Sequence, residues 1–138
     1  MNRDLGLKAV LWMIAVYHFV MGVGAFLSAD LAQKMAHSIF GIDLTLDPAT
    51  SFIVKVLAVY AITFGAIAMI AARDPMRYRV LLNVVVFLYV LRIVNKIVFK
   101  SQYVAGLHIA PTRVWVECVL MAGFALAVYV LRPRTSAA

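Results

Sequence analysis

Seven side chains in this sequence stand out against apolar surroundings: His18, Lys55, Tyr89, Arg92, Asn95, Lys96 and Glu117. Together they have the makings of a head-group site. Arg92 offers a fork of N–H donors, Lys55 and Lys96 offer ammonium donors, and Glu117 offers an acceptor. His18 can donate or accept, and Tyr89 and Asn95 add neutral hydrogen bonds. The balance is cationic, which suits an anionic head group, a quinone carbonyl or a lipid phosphate, while neighbouring Phe, Leu and Val residues suit an apolar tail.

These residues are informative because a charge within hydrocarbon costs from about 2.5 kcal/mol upward. The chain has 138 residues, of which 65% are hydrophobic and 14% charged, and its mean hydropathy is +0.97. That is far from a soluble domain, which carries about 25% charged residues. The net charge of +7 does not indicate a nucleic-acid partner, because the basic residues flank long apolar runs, as membrane orientation requires. The single cysteine, Cys118, forms no intramolecular disulfide, and no Cys/His spacing for a metal is present.

Four segments satisfy the need for about 20 apolar residues per crossing: approximately 5–27, 48–72, 75–99 and 111–131. The first is longer than the apolar core of a signal peptide and reads as a retained transmembrane helix. Asp47-Pro48 and Asp74-Pro75 are helix start signals, with Pro in the first turn. Between the first two spans, Ser28 should cap a short amphipathic surface helix ended by Gly41. Leu31, Met35 and Ile39 lie on one side of it, and Asp30, Lys34 and His37 on the other. Residues 100–110 read as a loop. The expected fold is all-α: one polytopic domain, a four-transmembrane-helix bundle with a short surface helix between helices 1 and 2. Small residues at Ala61/Gly65, Ala68/Ala72 and Gly123/Ala127 should allow close helix packing.

Orientation follows from the basic residues. Arg3, Lys8, Arg73, Arg77, Arg79, Arg132 and Arg134 lie on the side of both termini, against Lys34, Lys100 and Arg113 on the other. The positive-inside rule therefore places the N- and C-termini of this multi-pass chain in the cytoplasm. His18, Lys55, Arg92, Asn95, Lys96 and Glu117 then fall between the midplane and the outer surface, with Arg92 about 10 Å and His18 about 14 Å inward. Arg92, Asn95 and Lys96 share a stripe with Tyr89, while the faces of His18 and Lys55, rich in small residues, point into the bundle. Each residue also has a structural reading. Lys55 and Lys96 can extend to head groups, Glu117 can pair with Arg113, Lys55 or Arg92, and His18 can be a neutral core imidazole. His18 and His108 are too differently placed to be paired haem ligands, and no complete catalytic set is visible.

The run His18-Phe19-Val20-Met21-Gly22-Val23-Gly24, the amphipathic segment after it, the second-span run Leu57-Ala58-Val59-Tyr60-Ala61 with Gly65, the basic turn and Arg92 resemble the DoxX-like group of small four-helix bacterial membrane proteins. The layout is also similar to that of small sterol-scaffold membrane proteins. The resemblance implies a multi-pass protein of the bacterial inner membrane and a small subunit of a larger membrane complex, in some members quinone-linked. The expected function is therefore an integral-membrane subunit or scaffold without its own complete catalytic site, as a homo-oligomer or in a larger complex. The alternative is a lipid- or quinone-binding protein using the outward cationic cluster. A small proton-coupled transporter ranks third, since Glu117 is in the fourth span and His18 in the first.

Overall fold

The computed structural model describes residues 3–43 and 45–133 and is helical throughout its ordered elements. Arg134, one of the seven basic residues used for orientation, lies outside the described residues. Helix α1 spans Arg3–Leu27, α2 Ala29–Met35, α3 Pro48–Arg73, α4 Arg79–Val98, α5 Lys100–Gly106 and α6 Pro111–Leu131. The four long helices, α1, α3, α4 and α6, are each long and apolar enough to cross a membrane, with a mean hydropathy of 2.0 to 2.2 over their best windows. At most 33% of any such window is buried within the chain. The remaining surface exposes residues such as Val20, Phe52, Phe87 and Val119. Apolar surface of this extent matches hydrocarbon rather than water.

The start and stop signals act locally much as their chemistry dictates. The Ser28 hydroxyl accepts from the Leu31 N–H at 3.3 Å, and the Asp47 carboxylate accepts from the Thr50 N–H at 2.6 Å. Each pairs a donor that the first helical turn leaves orphaned. After α2 the chain widens into a π-helical turn, Ala36–Phe40, which Gly41 ends at φ +66. Glycine adopts that left-handed conformation without a Cβ clash, and the Arg113 guanidinium lies where a Cβ would project.

Two expectations change. The third long helix starts at Arg79 rather than Pro75, because Asp74 closes a separate turn over 75–78 by accepting from the Arg77 N–H at 3.0 Å. Residues 100–106 form α5 instead of a loop. In α2 and the turn after it Ala32 and Ala36 are buried while Leu31 and Ile39 are exposed, and the side chains of Leu31 and Met35 lie over Gly24 of α1.

Two antiparallel pairs make the bundle: α1 packs most extensively on α3, and α4 on α6. The pairs meet at one end, where Leu7, Leu11, Ile14 and Ala15 of α1 join Ala68, Ala71 and Ala72 of α3, Leu82 and Val85 of α4, and Ala125 and Val128 of α6. This end carries the α3–α4 turn and is called the turn end below. The opposite end carries α2 and α5 and is the cap end. Toward the cap end, α1 and α3 approach through small residues. A Cβ on Gly22 would stand 2.9 Å from the Ala58 carbonyl oxygen, and one on Gly65 3.2 Å from the Ala15 carbonyl oxygen. Gly123, expected to pack, instead faces open space, with nothing within 4 Å of the point a Cβ would occupy.

Candidate functional site

The polar residues of the long helices lie where the shared core gives way to the cap end. His18 is 4% exposed and is enclosed by aromatic rings, with Phe64 at 4.6 Å and Tyr89 at 6.3 Å between centroids, both edge-on. Its Nδ1 lies 2.8 Å from the Ile14 carbonyl oxygen, one turn earlier. A carbonyl oxygen only accepts, so Nδ1 carries the proton and donates. Nε2 is then left with its lone pair, which accepts from the Arg92 guanidinium at 3.1 Å. The ring is neutral, and both of its nitrogens are occupied.

Arg92 differs from His18 in that its residue is exposed. One guanidinium N–H goes to His18, and no carboxylate lies within ion-pair distance among the described residues. Tyr89, one turn earlier, is buried and stacks on Phe124 at 6.0 Å. Tyr17 adds an edge-on contact to His18 at 5.1 Å. The result is an arginine seated on an imidazole that aromatic rings enclose, with one N–H bonded to that imidazole.

Lys96 and Glu117 form a second unit, paired at 2.6 Å with side chains only 13% and 16% exposed. Glu117 thus pairs with none of the three partners expected for it. The Lys96 ammonium also lies 4.7 Å from the Tyr103 ring centroid, and the Tyr103 hydroxyl donates to the Asn95 side-chain oxygen at 2.7 Å. Asn95 therefore belongs with α5 rather than with Arg92. A cavity of about 390 Å³ opens here, lined by Asn95, Phe99, Gln102, Tyr103 and Leu107.

Lys55 joins neither unit. It is exposed on α3, although Ala58, Ile62 and Gly65 beyond it do meet α1. The contact is too close to admit a lysine chain, so the expectation that Lys55 points inward is corrected. An exposed lysine near a helix end can extend its ammonium to a polar interface. The single expected cluster is thus two units, His18–Arg92 with Tyr89, and Lys96–Glu117 with Asn95. Sequence reasoning missed Tyr17, Phe64, Phe124 and Tyr103. Three of these lie on other elements than the residues they touch, and an apolar or aromatic residue in a span carries no signal of its own.

The charges of Lys96 and Glu117 cancel, whereas that of Arg92 stands with a neutral acceptor. Cys118, next to Glu117 in α6, is a buried free cysteine. Comparison with protein-family models, with curated proteins and with solved structures finds no match. The class that the fold defines is therefore a small multi-pass helical protein with four candidate membrane spans.

Proposed function

We propose that this chain is a small integral membrane protein that binds the head group of an amphiphile, a lipid or a quinone, at Arg92. The observation that carries the reading is the uncompensated guanidinium: a charge within an apolar helix, exposed, and bonded to a neutral imidazole. A permanently charged group in such a position calls for an anionic or carbonyl acceptor, and a lipid phosphate or quinone oxygen supplies one. His18 acts as a positioning residue, since its fixed tautomer orients Arg92. The basic residues at the turn end support a cytoplasmic location for that end in a bacterial inner membrane. Native mass spectrometry of protein extracted with its lipids tests the reading. A bound amphiphile should be retained by the wild type and by Lys55→Gln, and lost in Arg92→Ala. Equal occupancy in Arg92→Ala would remove the site.

A second reading, a subunit or scaffold of a larger membrane assembly as the DoxX-like resemblance implies, is favoured by one observation. Gly123 and Ala122 on α6 face outward, with open space over Gly123. Small residues left unused within a bundle allow another helix to approach closely. Purification in gentle detergent tests this reading. Migration as a lone monomer of 15.2 kDa, unchanged by Gly123→Leu, would defeat it.

A further inference from the structure

The turn end carries a cavity that neither unit of the candidate site uses. Its volume is about 370 Å³, and its walls include Arg3, Asp4 and Leu7 of α1, Met76 of the α3–α4 turn, and Leu131 and Arg132 at the end of α6. Two guanidiniums from different helices line one space. Arg3 spends one N–H on the Val130 carbonyl oxygen at 2.6 Å, and Arg132 spends one on the Asn83 side-chain oxygen at 3.1 Å. Arg132 also rests on the Tyr129 ring, 4.1 Å from its centroid. An arginine has five N–H donors, so both are held in place with donors to spare. The one carboxylate in the wall, Asp4, is paired with Lys8 at 2.9 Å, which leaves the pocket cationic.

We propose that this pocket holds the phosphate of an anionic phospholipid. The inference rests on the chain spanning a membrane but not on the Arg92 site. A phosphodiester has two non-ester oxygens that can accept from two guanidinium forks, and its negative charge is opposite in sign to the arginines that line the pocket. The apolar floor argues for a lipid over a soluble anion. Leu7 and Leu131 line the cavity, and Met76 at its rim is 68% exposed, with Leu5 and Val80 similarly exposed at the same end. Acyl chains descending from a bound head group would cover that surface. Arg73, Arg77 and Arg79, all exposed at this end, raise the local concentration of anionic lipid.

The full-length chain, purified in detergent, is titrated with phosphatidylglycerol, and binding is read by native mass spectrometry, with phosphatidylcholine and inorganic phosphate as comparison probes. Phosphatidylglycerol should bind in preference to phosphatidylcholine. The Arg3→Gln/Arg132→Gln double variant should weaken it by about tenfold or more, which corresponds to losing roughly one charge-assisted contact. Met76→Glu should do the same with both arginines in place, at a position whose exposure spares the fold. Arg79→Gln should change affinity by less than about twofold, consistent with a surface charge, and Arg92→Ala should leave it unchanged, so that this site and the Arg92 site fail independently. Undiminished binding in both the double variant and Met76→Glu would overturn the proposal. So would equal affinity for phosphatidylcholine, or displacement of the lipid by millimolar inorganic phosphate, which would mark a soluble-anion site instead.

Discussion

The two ends of the bundle are held together in different ways. At the turn end all four long helices contribute to one apolar core of Leu, Val, Ile and Ala, with Leu7, Leu11, Leu82 and Val128 fully excluded from the surface. Toward the cap end the helices act more as two pairs, with α1 and α3 in small-residue contact and α4 and α6 joined by the Lys96–Glu117 pair. Among the described residues a polar bond, Arg92 to His18, links the pairs there. For helices that lie in hydrocarbon, packing density and satisfied polar groups are what hold them together, because lipid is as apolar as leucine. The turn end draws on the first of these and the cap end on both. That division leaves the cap end able to present charges, and the turn end should be the more stable region.

Truncation in the shared core tests this difference most severely. Leu11→Ala should cost about 2–4 kcal/mol, since the cavity it leaves is bordered by packed neighbours. Truncating the exposed Val98 of the cap end to Ala should cost less than about 0.5 kcal/mol. Thermal or denaturant unfolding in detergent measures both, and equal losses would break the distinction. Hydrogen exchange should agree, with amides of α5 opening before those of residues 11–15.

A smaller effect separates the polar device of the cap end from its apolar packing. Glu117→Gln strands a largely buried lysine charge and should cost about 2 kcal/mol, below the full penalty of a buried pair because both side chains keep some exposure. Replacing both Lys96 and Glu117 by Met should recover most of that loss. A double variant as unstable as the single one would mean that packing, not the unpaired charge, sets the cost.

Gly22→Ala sharpens the account of the other helix pair. The new methyl would stand 2.7 Å from an Ile62 side-chain carbon and 2.9 Å from backbone atoms of Ala58 and Ile62. A shift of α1 from α3 by a few tenths of an ångström should follow, at about 1–2 kcal/mol. Faster exchange confined to residues near Ala58 would fit local loosening, and an unchanged melting temperature would contradict the close approach.

The smallest effect is at the start of α3. Hydrogen bonds from the Thr50 backbone N–H and side chain hold the Asp47 carboxyl below the usual carboxylate range. A pKa lower in the folded than in the unfolded state means that Asp47 adds stability above its unfolded pKa. The contribution fades as pH falls through the folded value. Asp47→Ala should lower the melting temperature slightly at neutral pH, and the difference from wild type should vanish at strongly acidic pH. A constant difference across that range would exclude the ionised cap as its source.

How much is legible in the linear chain follows the range of the interactions. The four long helices, the caps at Ser28 and Asp47 and the stop at Gly41 depend on neighbours within a few residues, and the sequence shows them directly. The α5 helix is not visible there because its anchors lie outside it: Tyr103 reaches back to Asn95, and Lys100 rests on the Trp115 ring of α6 at 4.9 Å. The direction of Lys55 is hidden for a different reason. A helical wheel gives facing but not clearance, and clearance depends on how closely Gly22 lets α1 approach.

By itself, then, the sequence determined which segments form long apolar helices, where most of them start, and which polar residues lie uneasily among them, because hydropathy and capping are local. Tertiary structure decided which of those residues are partners. Lys96 neutralises Glu117 across two helices, the buried His18 ring receives Arg92 across two others, and Arg3 and Arg132 come to one pocket from distant parts of the chain. Ion pairs, proton positions and cavities depend on distances of a few ångströms between helices, and those distances are set by the packing of small and large side chains along whole faces.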